Sequence, residues 1–111
     1  MNKYAKTALI AARYLESGIN PVDAWEKASC TVFIPGSAAQ KKGCPKNAFL
    51  GLYGGEGINA KYAQKGITYL EEHGSNKITA QKLWDIVTDG IGKKHNDQMH
   101  VVIAMFDNGM L

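Results

Sequence analysis

Cysteine, proline and long apolar runs are all scarce in this sequence. The two cysteines among 111 residues, Cys30 and Cys44, are too few for a disulfide framework and too far apart for a C-x-x-C motif. Stability must therefore come from a packed core, and both residues read as thiols of a reducing compartment. No stretch approaches the ~18 consecutive apolar residues of a membrane-spanning helix. At the start, Lys3 and Lys6 precede an apolar stretch broken by Tyr4 and Thr7 and ended by Arg13. No small-residue cleavage pattern follows, so it does not read as a signal peptide. The expectation is a cytoplasmic protein with no membrane partner. An excess of one charge is also missing. With 13 Lys and Arg against 10 Asp and Glu, the formal charge is +3. That balance gives weak attraction to phosphate-bearing partners and falls short of a dedicated nucleic-acid footprint.

What is present is helical punctuation. Ala5, Ala8, Leu9, Ala12 and Leu15 recur at helical spacing within residues 2–17, with Lys6, Arg13 and Glu16 opposite. Gly18 stops that helix. Asn20 followed by Pro21 is an N-cap with proline at the first helical position, and the helix carries Trp25 and Ala28 to about Ser29. Thr31-Val32-Phe33-Ile34 reads as an extended, buried connection, or at most a short strand, ending at Pro35-Gly36. Ser37 and Gln40 form an S-x-x-Q capping box that predicts a short helix. Gly43 should end it, and Pro45 should open another with Ala48, Phe49 and Leu52 inward. Gly54-Gly55-Glu56-Gly57 is the clearest loop. Beyond it, Asn59, Thr79 and Asn96 are the expected caps of helices carrying Tyr62 to Leu70, Leu83 to Val87, and Met99 to Phe106.

The halves match each other. Tyr4-Ala5 lies 58 positions before Tyr62-Ala63, and Trp25 and Trp84 each fall five residues after their caps. Ser37 and Asn96 each follow the tryptophan by 12. This pattern predicts one all-α domain over residues 1–111. It would hold about six helices as two pseudo-repeated triplets, near 2–53 and 59–109, packed around Trp25 and Trp84.

Residues 37–52, Ser-Ala-Ala-Gln-Lys-Lys-Gly-Cys-Pro-Lys-Asn-Ala-Phe-Leu-Gly-Leu, are similar to a motif of a family of small bacterial proteins described only as a domain of unknown function. Lys94-His95-Asn96-Asp97-Gln98-Met99-His100-Val101-Val102 resembles the same family's C-terminal motif, and Tyr4-Ala5 and Trp25 fit its opening. The pattern departs at His100, where the resemblance implies an acidic residue, and at Gly54-Gly55, where it implies a more polar segment. The resemblance brings candidate residues but no assigned activity, and no cofactor is expected.

Three sets of residues carry chemistry. Cys44, before Pro45, reads as the N-cap of a helix flanked by Lys42 and Lys46, where helix dipole and charge favour a thiolate. The bland alternative is a small structural cap. His95 is the one histidine nominated as a base for it, giving Cys44 and His95 as catalytic candidates. Metal ligation is not expected, because His95 and His100 are five apart and lack a Cys or acidic partner at a recognised interval. Lys41, Lys42 and Lys46 in one half match Lys93 and Lys94 in the other, near expected helix starts that favour anions. With Ser37, Gln40, Asn96 and Gln98 they form a candidate polar-basic face, or simply a solvated charged edge. The leading functional reading is a binding module for a protein or phosphate-bearing partner. A thiol-dependent or redox-responsive protein using Cys44 is the alternative, and a nucleic-acid accessory protein the weaker one. Helix-turn-helix is excluded, because the connection from Trp25's helix to Ser37 is too long and apolar.

Overall fold

Asn2 starts the first helix: its Oδ1 accepts the backbone N–H groups of Tyr4 and Ala5, which no helical carbonyl can reach. The computed structural model describes residues 1–111. Its elements are α1 (Lys3–Glu16), α2 (Pro21–Val32), α3 (Gly43–Gly51), α4 (Ile58–His73), α5 (Ala80–Val87) and α6 (Gln98–Asp107), with no strand. The all-α, six-helix expectation holds. Asn20 caps α2 through the Asp23 N–H at 2.9 Å. Thr79 caps α5 through the Lys82 N–H at 3.0 Å.

Other boundaries differ from expectation, each for a local reason. The Thr31–Ile34 stretch is neither strand nor extended throughout. α2 continues to Val32, with the Phe33 N–H donating to the Ser29 carbonyl at 2.9 Å and Thr31 Oγ1 to the Lys27 carbonyl at 3.0 Å. Ser37 opens no helix. Its Oγ accepts the Gln40 N–H, but residues 35–41 form turns. α3 begins at Gly43 after Lys42, so Cys44 lies inside the first turn and is not the cap. Gly57, at φ 103°, precedes α4 in place of Asn59, which is helical. Asp97, in the left-handed conformation at φ 69°, precedes α6 in place of Asn96. Third helices therefore begin 18 residues after Trp25 and 14 after Trp84, so the equal 12-residue intervals do not survive.

The repeat itself does, in an exchanged form. α3 packs mainly on α4 and α6, and only slightly on α2, whereas α6 packs on α1, α3 and α4. α3 thus packs chiefly on the other half's first helix, while α6 packs on the other half's first helix and also on its own half's α4 and α5. Two apolar clusters result. One gathers Ala48 of α3 with Leu70, Leu83, Trp84, Met99 and Val102. The other gathers Phe49 of α3 with Ala12, Trp25, Ala28, Val101 and Met105. Adjacent residues of α3, and of α6, face opposite clusters, so these two helices are the shared wall of the core.

Candidate functional site

The exchange brings the starts of α3 and α6 together. Lys42 and Asp97 precede those helices, and Lys42 Nζ lies 2.7 Å from Asp97 Oδ2. Asn2 Nδ2 donates to Asp97 Oδ1 at 3.1 Å, and His100 Nε2 stands 3.9 Å from the same oxygen. Burial pushes the Asp97 carboxyl up, but the hydrogen bonds from Lys42 and Asn2 outweigh it and hold the group below its ordinary value. The Lys42 ammonium also lies 5.2 Å from the Tyr4 ring centroid, and the Tyr4 hydroxyl donates to the Ala39 carbonyl at 2.9 Å. Chain start, first half and second half are cinched at one point.

His95 lies beside this knot. Its ring packs 5.3 Å from those of Trp84 and His100, and its Nε2 accepts the Met99 N–H at 3.0 Å. This bond supplies the cap that Asp97's backbone conformation leaves open. Accepting at Nε2 places the proton of the neutral ring on Nδ1. Burial first, and the neighbouring His100 second, push His95 down to about 4. Its basic nitrogen is thus committed to the backbone of α6. Cys44 is half-buried in the first turn of α3. The partners that hold His95 are Met99, Trp84 and His100.

The remaining residues of the candidate face divide into separate braces. Gln40 is buried: its Oε1 accepts the Gly36 N–H, while Nε2 donates to Ser29 Oγ at 2.9 Å and Glu26 Oε2 at 3.3 Å. Ser37 and Gln40 therefore hold the turns between α2 and α3. Gln98, also buried, accepts the Asn96 N–H and donates to Asn59 Oδ1 at 3.0 Å, tying α6 to α4. Lys93 Nζ donates to the Tyr62 hydroxyl, and its carbonyl accepts Trp84 Nε1–H at 2.6 Å. Lys41 and Lys94 are exposed and Lys46 partly so.

The largest concavity lies elsewhere, between α4 and α5. It is an open groove of about 540 Å³ with Tyr69, Ile86 and Val87 apolar and Lys61, Lys65, Glu72 and Asp89 charged. It continues past Lys61 toward Gly55–Gly57, and past Tyr69 and Ile86 toward His73 and Ile78. The sequence does carry α4's polar stripe at 61, 64, 65, 68 and 72. What it does not reveal is that α5 stands away from that stripe. Asp97 and Asn2 were also missed, since their partnership depends on residues 55 and 95 positions apart.

No helix is long and apolar enough to cross a membrane. No curated protein and no solved structure matches the chain. A family model does match, twice, over residues 1–58 and 53–111, consistent with the exchanged repeat. On those two matches, which together cover its whole length, the chain belongs to the family of unknown function DUF6979.

Proposed function

We propose that the protein is a binding module that takes a polypeptide partner along the α4–α5 groove. The observation that carries this reading is the contrast between the groove and the junction. Lys42, Asp97 and His95 at the junction, and Gln40 and Gln98 in their separate braces, all bond to groups of the chain itself. In the groove, Lys61 and Lys65 stand exposed without an ion-pair partner around an apolar floor, while Gln64 and Thr68 bond to the Gly51 and Gln64 carbonyls. A rim of both signs over Tyr69, Ile86 and Val87 suits an amphipathic peptide, whose apolar face fills the floor and whose flanks carry charges of both signs. Phosphate or nucleic acid would call for a surface of one sign.

Titration of isotopically labelled protein with a panel of amphipathic helical peptides tests this. Shift changes should centre on Lys61, Thr68, Tyr69 and Ile86, and Ile86→Glu should abolish them. If the peptides leave the groove untouched while inorganic phosphate moves Lys41, Lys46 and Lys94, the recognition surface is the basic edge and the groove reading fails.

A further inference from the structure

The two halves are joined by six residues, Leu52 to Gly57, that reverse the chain between α3 and α4. The reversal depends on glycine. Gly54 and Gly57 hold φ values of 89° and 103°, which side chains rarely adopt, and a Cβ on Gly55 would stand 2.8 Å from the Leu50 carbonyl. The contacts between the halves do not depend on it. α3 meets α4, α6 meets α1, and α3 meets α6 within the helices, where Ala48 and Phe49 of α3 and Val101 and Val102 of α6 join the two apolar clusters. Lys42 and Asp97, the residues preceding the two third helices, close on each other across the same interface. A surface that meets its own repeat-equivalent in this way is self-complementary, as in an isologous dimer. Only the loop decides whether the complement comes from the same chain or from another.

We propose that this interface is one that a second copy of the chain fits. When residues 54–57 cannot reverse, two chains exchange halves. The first half of each, with α3, then packs on the second half of the other, forming an intertwined dimer with two complete sets of six helices. In the wild type, the short loop holds the halves at a high effective concentration, on the order of millimolar, so the closed monomer dominates in dilute solution and exchange competes only as the chain concentration rises toward that value. Removing the reversal removes that advantage and leaves every helix–helix contact available between chains.

The test is the solution mass of a Gly54→Val, Gly57→Val variant of the full chain, by light scattering after size separation. The expected result is twice the wild-type mass with unchanged far-ultraviolet dichroism and tryptophan emission. A folded variant that stays monomeric overturns the proposal. Should the variant not fold, wild-type protein refolded from urea at rising concentration decides the matter. A dimer fraction that grows with concentration and persists on dilution supports exchange, and a monomer at every concentration refutes it. Two differently tagged chains should form a mixed dimer only when unfolded and refolded together. Mixed dimers formed by native chains on simple mixing would mean ordinary surface association and would also overturn the exchange.

Discussion

α1 meets α2 closely, while α4 meets α5 at a distance, although the two pairs occupy equivalent places. In the first half, the facing surfaces are alanine: Ala11, Ala24 and Ala28 are fully buried. At the matching positions, 58 or 59 residues on, the second half has Tyr69, Leu83 and Val87. The distance between packed helices follows the size of the side chains at the contact. Alanines let α2 settle onto α1, whereas the larger side chains hold α5 away and leave the groove. The shared frame carries the core, and divergence at a few contact positions creates the surface available for binding. The tryptophans diverge in a second way. Both are almost fully buried, but Trp84 donates to the Lys93 carbonyl, while Trp25 Nε1 has no partner.

Replacing either tryptophan by alanine should show how equal the halves are. Each fills the centre of one cluster, so Trp25→Ala and Trp84→Ala should each cost ~3–5 kcal/mol in urea melts. A loss below ~1 kcal/mol at one site would mark that half as peripheral to the fold. Phenylalanine separates them. Trp84→Phe gives up a hydrogen bond, while Trp25→Phe removes a buried donor that has none, so Trp84→Phe should be the worse by about 1 kcal/mol.

The helix contact itself gives the next effect. Ala28→Leu has no room against α1 and should destabilise by ~1–3 kcal/mol. Val87→Leu also adds bulk at a buried position, but Val87 lines the open groove, which gives the extra methylene room, so its cost should be at most ~1 kcal/mol. Equal losses in parallel denaturation curves would show that α5 packs as tightly as α2, and that the groove is not a consequence of side-chain size.

His95 has no counterpart in the first half, where Lys42 precedes α3 without a side-chain cap, and it gives the second half its own pH dependence. Its folded value of about 4 lies below the ordinary 6.5, so the unfolded chain binds the proton more readily. Stability from this group is fully present above pH ~6.5 and is lost as pH falls toward 4. Because the ring is half-exposed, solvent screening reduces the effect to about 1–2 kcal/mol. His95→Asn should flatten the stability profile between these limits; an unchanged slope would assign the acid sensitivity to other groups.

What the sequence made legible was chemistry that acts within one turn. Asn20 with Pro21, Thr79 and the tryptophans five residues after each cap lie where expected, because a cap and an anchor need only near neighbours. The misplaced boundaries belong to residues whose partners are distant or whose rule was too narrow. Pro45 sits in the third position of α3, because the first-turn N–H groups are unpaired anyway and proline is tolerated throughout that turn. Gln40 satisfied the capping-box pattern, yet its side chain serves Gly36, Ser29 and Glu26, which holds a turn and starts no helix. Asn96 was displaced as cap by His95, whose ring reaches the Met99 N–H. Of the candidate site, the sequence supplied Lys42 and His95 but not Asp97, the carboxylate that neutralises one and lies beside the other. The groove was illegible for the same reason: it depends on how far apart two helices stand.

The smallest effect concerns the cysteine that the sequence did not single out. Cys30 sits on the last turn of α2, at the place the second half fills with Asp89 on the groove rim. Its burial, the Glu26 charge and the hydrogen bond to Glu26 Oε1 at 3.7 Å all push the thiol up. The carboxylate acts twice: it accepts the S–H, which favours the protonated form, and its negative charge disfavours the thiolate that would replace it. Glutamine at position 26 keeps an acceptor but removes the charge. In a Cys44→Ser background, the alkylation rate of Cys30 plotted against pH should therefore rise with a midpoint above the ordinary ~8.5 of a free thiol. Glu26→Gln should move that midpoint down and speed the reaction at neutral pH, since the thiolate is the nucleophile. Coincident profiles for the two proteins would mean that Glu26 faces solvent and leaves the thiol alone. A shift would confirm that this half uses the turn after Trp25 to keep its thiol quiet, where the other half places a charge in the open.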